Sequence, residues 1–225
     1  MAGYIDTLTP VQKNNAISIL KMARKKGITN IYALAALLAV ASKECGFNLT
    51  QEKGYSKTSN DRLRTIFGSR LGEFTDDQLN ALKVNNKLFF NTVYGNMYGN
   101  GPDNAWMYIG RGFNQITFLG NYKALGLKLN LDLVNHPELL DNPDIAAQAF
   151  VQYFIDRFHS ITAEAKAEAH TADINGFQNL NDALVGIYHA NAGWGKKIFP
   201  DVTGGFAKAK SRIDELLTFV NSIPA

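Results

Sequence analysis

The chain has 225 residues, of which 46% are hydrophobic and 19% are charged, and its formal net charge is +3. This balance excludes an intrinsically disordered chain, because enough apolar surface is present for a full core, and it suits one large or two small domains. The positive charge is small and forms no long basic stripe, so we expect no nucleic-acid partner.

Three further features concern where the chain folds and works. Cys45 is the single cysteine, which excludes an intrachain disulfide and suits folding in a reducing compartment. The first ten residues contain no basic stretch followed by an apolar run, so we expect no signal peptide. The most apolar segment, residues 31–42, is too short to cross a bilayer, and we expect no membrane insertion.

Capping signals and apolar periodicity predict helices along most of the chain. Thr9 and Gln12 predict a capping box for a first helix that begins at Pro10 and ends near Gly27. The later predicted helices span residues 31–44, 61–67, 76–82, 88–93, 142–154, 182–190 and 206–220. Residues 95–112 indicate a long loop, residues 113–118 a short strand, and residues 121–125 a helical turn. The predicted fold is mainly α, one domain over residues 1–225, with two lobes around a cleft and few short strands.

The segment from residue 42 to residue 59 contains two carboxylates that suit acid–base chemistry. Glu44 follows the apolar helix of residues 31–42 and is expected on or next to its buried face. Partial burial there favours the protonated carboxyl, which a general acid requires. Glu52 comes eight residues later in a more polar segment, where we expect it to stay ionised and activate water.

Two glutamates eight residues apart also occur on ordinary protein surfaces, so the spacing alone does not separate catalysis from solvation. The sequence is more decisive about other kinds of catalytic site. The histidines form no HExxH pair and lie beside no usable cysteine, so we expect no metal site; they are His136, His159, His170 and His189. Nucleophile-elbow and phosphate-loop patterns are also absent from the sequence.

The stretch YIGRGFNQITFLGNY, residues 108–122, is the second informative feature. Gln115, Thr117 and Asn121 are polar residues among apolar ones, and on an extended segment Gln115 and Thr117 share a face. Amides and hydroxyls of this kind bind sugars, with Trp106 or Tyr108 as an aromatic platform. A buried polar strand whose groups are satisfied by their neighbours explains the pattern equally well.

Several of these residues, taken in order, resemble the pattern of glycoside hydrolase family 19, above all its bacteriophage endolysin branch, the chitinase-like lysozymes. The resemblance covers roughly residues 35–195. It includes Glu-x-Gly-Phe at 44–47, Tyr-Ser at 55–56, Tyr-Gly at 94–95, Gly-Asn at 99–100, and the run Gly-Arg-Gly, Gln-Ile-Thr and Asn-Tyr between 110 and 122. The resemblance implies a mainly α, lysozyme-like fold and inverting hydrolysis of β-1,4-linked N-acetylated amino sugars.

Residue roles follow from the resemblance position by position. Glu44 matches the general acid of the family. Gln115, Thr117 and Asn121 match residues that bind the sugar chain or the attacking water. Asn191 lies in an Asn-Ala-Gly turn, residues 191–193, that resembles a family turn lining the cleft.

The chain departs from the family pattern near the second carboxylate. Lys43 stands where family endolysins have a histidine, and the spacing from Glu52 to Tyr55 differs slightly. Tyr55 is therefore assigned to substrate binding, with Ser56 and Thr58 as helpers that position water.

The sequence thus predicts an enzyme that hydrolyses the β-1,4 bond between N-acetylmuramic acid and N-acetylglucosamine in peptidoglycan, without a cofactor. We expect a monomer made in the host cytoplasm. If it is phage-encoded, a holin or a similar protein releases it to the wall, or the virion carries it. Three alternatives stay open: a chitinase, a lytic transglycosylase that needs one carboxylate, and a virion or wall-binding protein without activity.

Overall fold

The computed structural model describes residues 3–192 and 204–224, and these residues are mainly helical. The mainly α prediction is therefore confirmed. Across the described residues no helix is long and apolar enough to span a membrane. The α-helices in these two ranges are α1 (Pro10–Lys25), α2 (Ile31–Glu44), α3 (Asn60–Phe67), α4 (Asp76–Lys83), α5 (Asn86–Tyr94), α6 (Leu119–Leu129), α7 (Pro143–Ser160), α8 (Ala163–Glu168), α9 (Leu180–Ala192), α10 (Gly205–Lys210) and α11 (Ile213–Ser222).

The chain divides into two compact units. The first consists of Met1–Leu49 and Asn142–Ala225, and the second is the continuous segment Thr50–Asp141. The first unit contains α1, α2 and α7 to α11, whereas the second contains α3 to α6.

Helix α2 lies at the centre of the first unit. Every residue from Ala33 to Ser42 is buried, and the helix packs against α1, α9, α10 and α11. Alanines make up half of this buried stretch and let the neighbouring helices approach closely. The leucines at 34, 37 and 38 are at most 1% exposed, and burying each stabilises the fold by about 1.5–3 kcal/mol.

The second unit has an aromatic core of its own. Tyr55 stacks on Phe89 at 5.1 Å between ring centroids and meets Phe67 edge-on at 5.2 Å. Such pairs add about 0.5–1.5 kcal/mol beyond the area they bury. The buried members of this core are Leu63, Leu71, Leu79, Leu82, Phe89, Phe90, Val93 and Ile109.

Local signals placed most helix starts correctly. The Thr9 side chain accepts a hydrogen bond from the Gln12 backbone N–H, and the Gln12 side chain accepts one from the Thr9 N–H, so the predicted capping box is confirmed. Thr75 and Gln78 form the same arrangement at α4. Helix α2 has the predicted bounds, and Asn30 caps its first turn.

Four other local predictions are corrected. Residues 113–118 form no strand, because residues 112–115 are a tight turn closed by the bridge between Arg111 and Ile116, and residues 117–118 lead into α6. The predicted turn at 121–125 is part of the longer helix α6. The predicted last helix is two helices, since the helical path is interrupted at Ser211 and Arg212, and helix α8 was missed. Of the turn predicted at 191–195, residues 191 and 192 instead continue α9, and residues 193–195 lie outside the described residues.

Candidate active site

Glu44 is the last residue of α2 and lies at its exposed end. Its Oε1 accepts hydrogen bonds from the Lys43 ammonium at 2.8 Å and from the Asn191 side-chain amide at 2.7 Å. Its Oε2 makes no hydrogen bond to any of the described residues. The side chain is 31% exposed and therefore partly buried, as expected, but its Oε1 pairs with a cation, so the setting is more polar than an apolar helix face. One oxygen thus has two donors, whereas the other has no hydrogen bond to the described residues.

Asn191 reaches Glu44 from the last turn of α9. Its backbone carbonyl accepts a hydrogen bond from the Tyr153 hydroxyl at 3.2 Å, which ties that turn to α7. Because α9 also packs along α2, the amide and the carboxylate are presented by two helices with a shared buried interface. The sequence placed Asn191 against the substrate, whereas the structure places it on Glu44.

Glu52 is half-buried and its carboxylate accepts three hydrogen bonds within the second unit. Oε1 receives the Tyr55 hydroxyl at 2.9 Å and the Tyr94 hydroxyl at 2.8 Å, and Oε2 receives the Gly110 backbone N–H at 3.2 Å. The Glu52 N–H in turn donates to the Gly110 carbonyl at 2.7 Å. The setting is less open than the polar loop that the sequence suggested.

The two tyrosines are held in the form that donates these hydrogen bonds. Burial raises the pKa of both Tyr55 and Tyr94, and the neighbouring negative charge of Glu52 raises each further. A protonated phenol donates to a carboxylate, so the tyrosines hold Oε1 in place at all ordinary pH values. Tyr55, expected to bind substrate, instead positions Glu52 and packs in the aromatic core.

Gly110 connects Glu52 to the residues expected to bind sugar. A Cβ on Gly110 would lie 2.8 Å from the Gln115 Oε1 and 3.5 Å from the Thr117 hydroxyl oxygen, so both side chains lie against this glycine. The Thr117 hydroxyl donates to the Gln115 carbonyl, and the Asn121 amide donates to the Thr117 carbonyl. The structure therefore brings these three predicted residues together in the second unit.

Gln115 has a different local role from the one predicted. Its backbone is left-handed, with φ 52°, so it is not part of an extended strand. Its side-chain amide nitrogen donates to the carbonyls of Thr50 and Gly112 at 2.8 and 3.0 Å. The amide N–H groups therefore hold the turn closed, and the residue as a whole is exposed.

The aromatic platforms predicted from the sequence differ in exposure. Tyr108 is 4% exposed and donates its hydroxyl to the Val134 carbonyl, so it belongs to the core and cannot stack on a sugar. Trp106 is 38% exposed with the Lys87 ammonium 5.1 Å from its ring centroid, which leaves it available as a platform. Tyr98, which the sequence patterns did not single out, is 70% exposed and packs on Phe118 beside the start of α6.

Ser56 and Thr58 lie on the turn that follows Tyr55. The Thr58 N–H donates to the Tyr55 carbonyl, and its own carbonyl accepts from Lys83. Neither hydroxyl contacts Glu52 through a hydrogen bond in the described structure. Their assignment to water positioning stays a prediction.

Two residues that contact the candidate carboxylates, Lys43 and Tyr94, were not assigned to the site from the sequence. In the sequence, Lys43 is noticed only as a departure from a family pattern. Its position directly before Glu44 could nevertheless have indicated a contact between the two side chains. Tyr94 lies in the Tyr-Gly pair at 94–95, but its partner Glu52 is 42 residues away, and no local pattern reveals such a pairing.

The described residues contain no group of three or more His, Cys, Asp or Glu side chains that could hold a metal ion. No protein-family model matches the chain, and no curated protein matches it significantly.

Proposed function

We propose that the chain is a glycosidase that cleaves the glycan strands of peptidoglycan by inverting hydrolysis. The observation that carries the proposal is the setting of Glu44, a carboxyl group with one oxygen held by two donors and the other without a hydrogen bond to the described residues. This arrangement gives the carboxyl group a defined orientation, which a general acid uses to deliver its proton toward the leaving oxygen. The sequence resemblance to glycoside hydrolase family 19 supports the same role.

Glu52 is the proposed general base. An ionised carboxylate has about four acceptor positions, and three of those on Glu52 are taken by Tyr55, Tyr94 and Gly110. One position on Oε2 is left for a water molecule, beside Gln115 and Thr117, which also lie against Gly110. In the reaction, the water attacks the anomeric carbon, its proton goes to Glu52, and the Glu44 proton goes to the leaving oxygen.

The proposed function also implies a particular arrangement of the fold around the glycan. We propose a lysozyme-like fold with two lobes around a substrate cleft. An inverting mechanism then requires the two carboxyl groups to lie about 6.5–9.5 Å apart when the glycan is bound. The chain would act on the wall as a monomer after release from the host cytoplasm by a holin or a similar protein, or from a virion.

A lytic transglycosylase is the second candidate, and one observation favours it. Glu52 already accepts three hydrogen bonds, and a carboxylate so engaged is a weaker base for water than a free one. In that reaction Glu44 alone serves as acid and base, and the 6-hydroxyl of N-acetylmuramic acid attacks in place of water.

Mass spectrometry of the products from purified peptidoglycan digested in heavy-oxygen water separates these candidates. Hydrolysis incorporates one labelled oxygen at each new reducing end, with the α configuration first if the mechanism inverts. Transglycosylation leaves 1,6-anhydro ends without label. Cleavage of chitin oligomers in preference to peptidoglycan would identify a chitinase, and cleavage of neither would leave a wall-binding protein without activity.

Replacing Glu44 with Gln tests the acid directly. The change keeps the shape of the side chain and removes the transferable proton, so we expect wall cleavage to fall at least about a hundredfold. The melting temperature should stay near that of the parent. Glu73→Gln, an exposed glutamate of the second unit, is the matched control. Near-normal cleavage by Glu44→Gln would refute the assignment.

A further inference from the structure

We propose that Lys43 is a positioning residue that holds Glu44 through Oε1 and stabilises the negative charge that forms on it when its proton is transferred. The inference rests on the proposed function, in which Glu44 is the acid. It adds a role for a lysine at a position where the resembled family has a histidine.

The contact between Lys43 and Glu44 is not one that the helix makes by itself. Successive residues on an α-helix point about 100° apart, so neighbours do not normally face each other. Here the ammonium nitrogen nevertheless lies 2.8 Å from Glu44 Oε1. Both side chains are partly covered, at 27% and 31% exposed. Packing outside α2 is therefore expected to help hold the lysine at the carboxylate.

Helix α10 lies against the end of the lysine side chain at Gly205. A Cβ at this position would collide with the Lys43 Cε, and it would lie 2.8 Å from the Nζ and 2.9 Å from the Tyr188 hydroxyl. Glycine thus leaves the space that the end of the lysine occupies. Tyr188 on α9 is 8% exposed, and its ring meets the Phe206 ring of α10 edge-on at 5.3 Å. The two helices are therefore well packed beside the lysine.

The consequence for Glu44 is a defined orientation. Lys43 and the Asn191 amide both donate to Oε1, from α2 and α9 respectively. Oε2 is then the oxygen that carries the proton to the leaving glycosidic oxygen as the C–O bond breaks. The carboxylate formed in that step lies beside a fixed ammonium group, and preorganised charge of this kind lowers the barrier.

Three variants test the inference on soluble peptidoglycan fragments: Lys43→Met, Gly205→Ala and the double variant. Lys43→Met should lower kcat about tenfold, because a charge-assisted hydrogen bond is lost, with KM nearly unchanged. Gly205→Ala should lower kcat as well, since the new methyl group displaces the ammonium without changing charge. In the double variant the glycine change should have no further effect, because both act on one contact. Lys21→Met, an exposed lysine on α1, is the matched control.

The carboxyl carbon-13 resonance of Glu44 gives a readout that does not depend on catalysis. Its absence from the spectrum of Glu44→Gln assigns it. We expect the resonance to move in Lys43→Met and in Gly205→Ala and to stay in place in Lys21→Met.

The outcomes are distinguishable. An unmoved resonance with a parental kcat in Lys43→Met, or additive effects in the double variant, would overturn the role of Lys43. A parent protein that cleaves no glycan would overturn the proposed function and the catalytic part of this inference. The resonance would still decide whether Lys43 positions Glu44.

Discussion

At the scale of single residues, the two candidate carboxylates differ in what surrounds them. Glu44 is bound on one oxygen by Lys43 and Asn191, whereas Glu52 is bound on both oxygens by hydroxyl and backbone donors. A carboxylate that must give a proton needs an open oxygen, and one that must take a proton needs a fixed position next to water. This difference in surroundings suits the proposed acid role of Glu44 and the proposed base role of Glu52.

The tyrosines around Glu52 predict a loss of stability at alkaline pH. The pKa of Tyr55 and of Tyr94 is raised by burial and by Glu52, above the ordinary value of 10.0. Above about pH 10 the unfolded chain therefore ionises these groups while the folded chain keeps their protons. The folded state then binds more protons, so the free energy of unfolding falls as the pH rises.

Urea unfolding from pH 8 to pH 11 measures this effect. Tyr94→Phe should reduce the slope of stability against pH above pH 10, because one of the shifted groups is gone. Tyr98→Phe removes an exposed hydroxyl and should leave the slope as it is. Equal slopes in the parent and in Tyr94→Phe would show that the raised pKa of Tyr94 does not contribute to the fall in stability with pH.

Gln115 and Asn121 should separate stability from activity. Gln115→Ala removes the donors that close its turn onto Thr50 and Gly112, so we expect a loss of about 1 kcal/mol in the free energy of unfolding. Asn121 is exposed and its amide makes one short-range bond, so Asn121→Ala should change stability by less than about 0.5 kcal/mol. Both variants should weaken wall cleavage. An Asn121→Ala protein that is less stable but fully active would show a structural role instead.

At the scale of elements, α2 determines where Glu44 lies. Its buried residues fix the helix among α1, α9, α10 and α11, and the helix ends where the polar residues begin. Asn30 fixes the other end, since its side-chain oxygen accepts from the N–H groups of Tyr32 and Ala33. Its amide also donates to the carbonyls of Asn175 and Phe177, which ties the helix start to the segment before α9.

Asn30→Ala should therefore lower the free energy of unfolding by more than the loss of an ordinary helix cap does. Loss of a helix cap alone costs about 0.5–2 kcal/mol. Here two carbonyls of the segment before α9 lose their donor as well. Thr75→Ala, at the capping box of α4, is the matched control and should cost about 1 kcal/mol. Equal losses in the two variants, measured by urea unfolding, would show that the bonds to Asn175 and Phe177 contribute nothing.

At the scale of the whole molecule, the chain is one unit interrupted by another. The second unit is continuous, from residue 50 to residue 141, and it contains its own aromatic core and the three described donors to the Glu52 carboxylate. A continuous segment with a core of its own can fold alone.

We expect a protein of residues 50–141 to fold by itself. It should unfold cooperatively on heating and show a near-ultraviolet circular dichroism signal from its packed aromatic rings. Phe89→Ala in the same segment should abolish both signals, because truncating a buried phenylalanine costs about 3–5 kcal/mol. A non-cooperative melt of the parent segment would show that its core needs the rest of the chain.

The sequence by itself determined the helices whose signals are local. Capping boxes at Thr9 and Thr75 and the apolar period of residues 31–44 act within a few residues, so they can be recognised without the fold. It also singled out Glu44 and the group of Gln115, Thr117 and Asn121. It misjudged residues 113–118, because alternation of polar and apolar residues predicts a strand, whereas the left-handed backbone at Gly112 and Gln115 turns the chain.

Only the tertiary structure decided what each carboxylate contacts. Glu44 meets Asn191 across 147 residues of chain, and Glu52 meets Tyr94 across 42. Such pairs form because buried helices and aromatic rings pack in one particular arrangement, and no local pattern in the sequence encodes that arrangement. The same packing moved Tyr55 and Tyr108 from the expected substrate surface into the core, since the aromatic rings that suit a sugar platform suit a hydrophobic interior equally well.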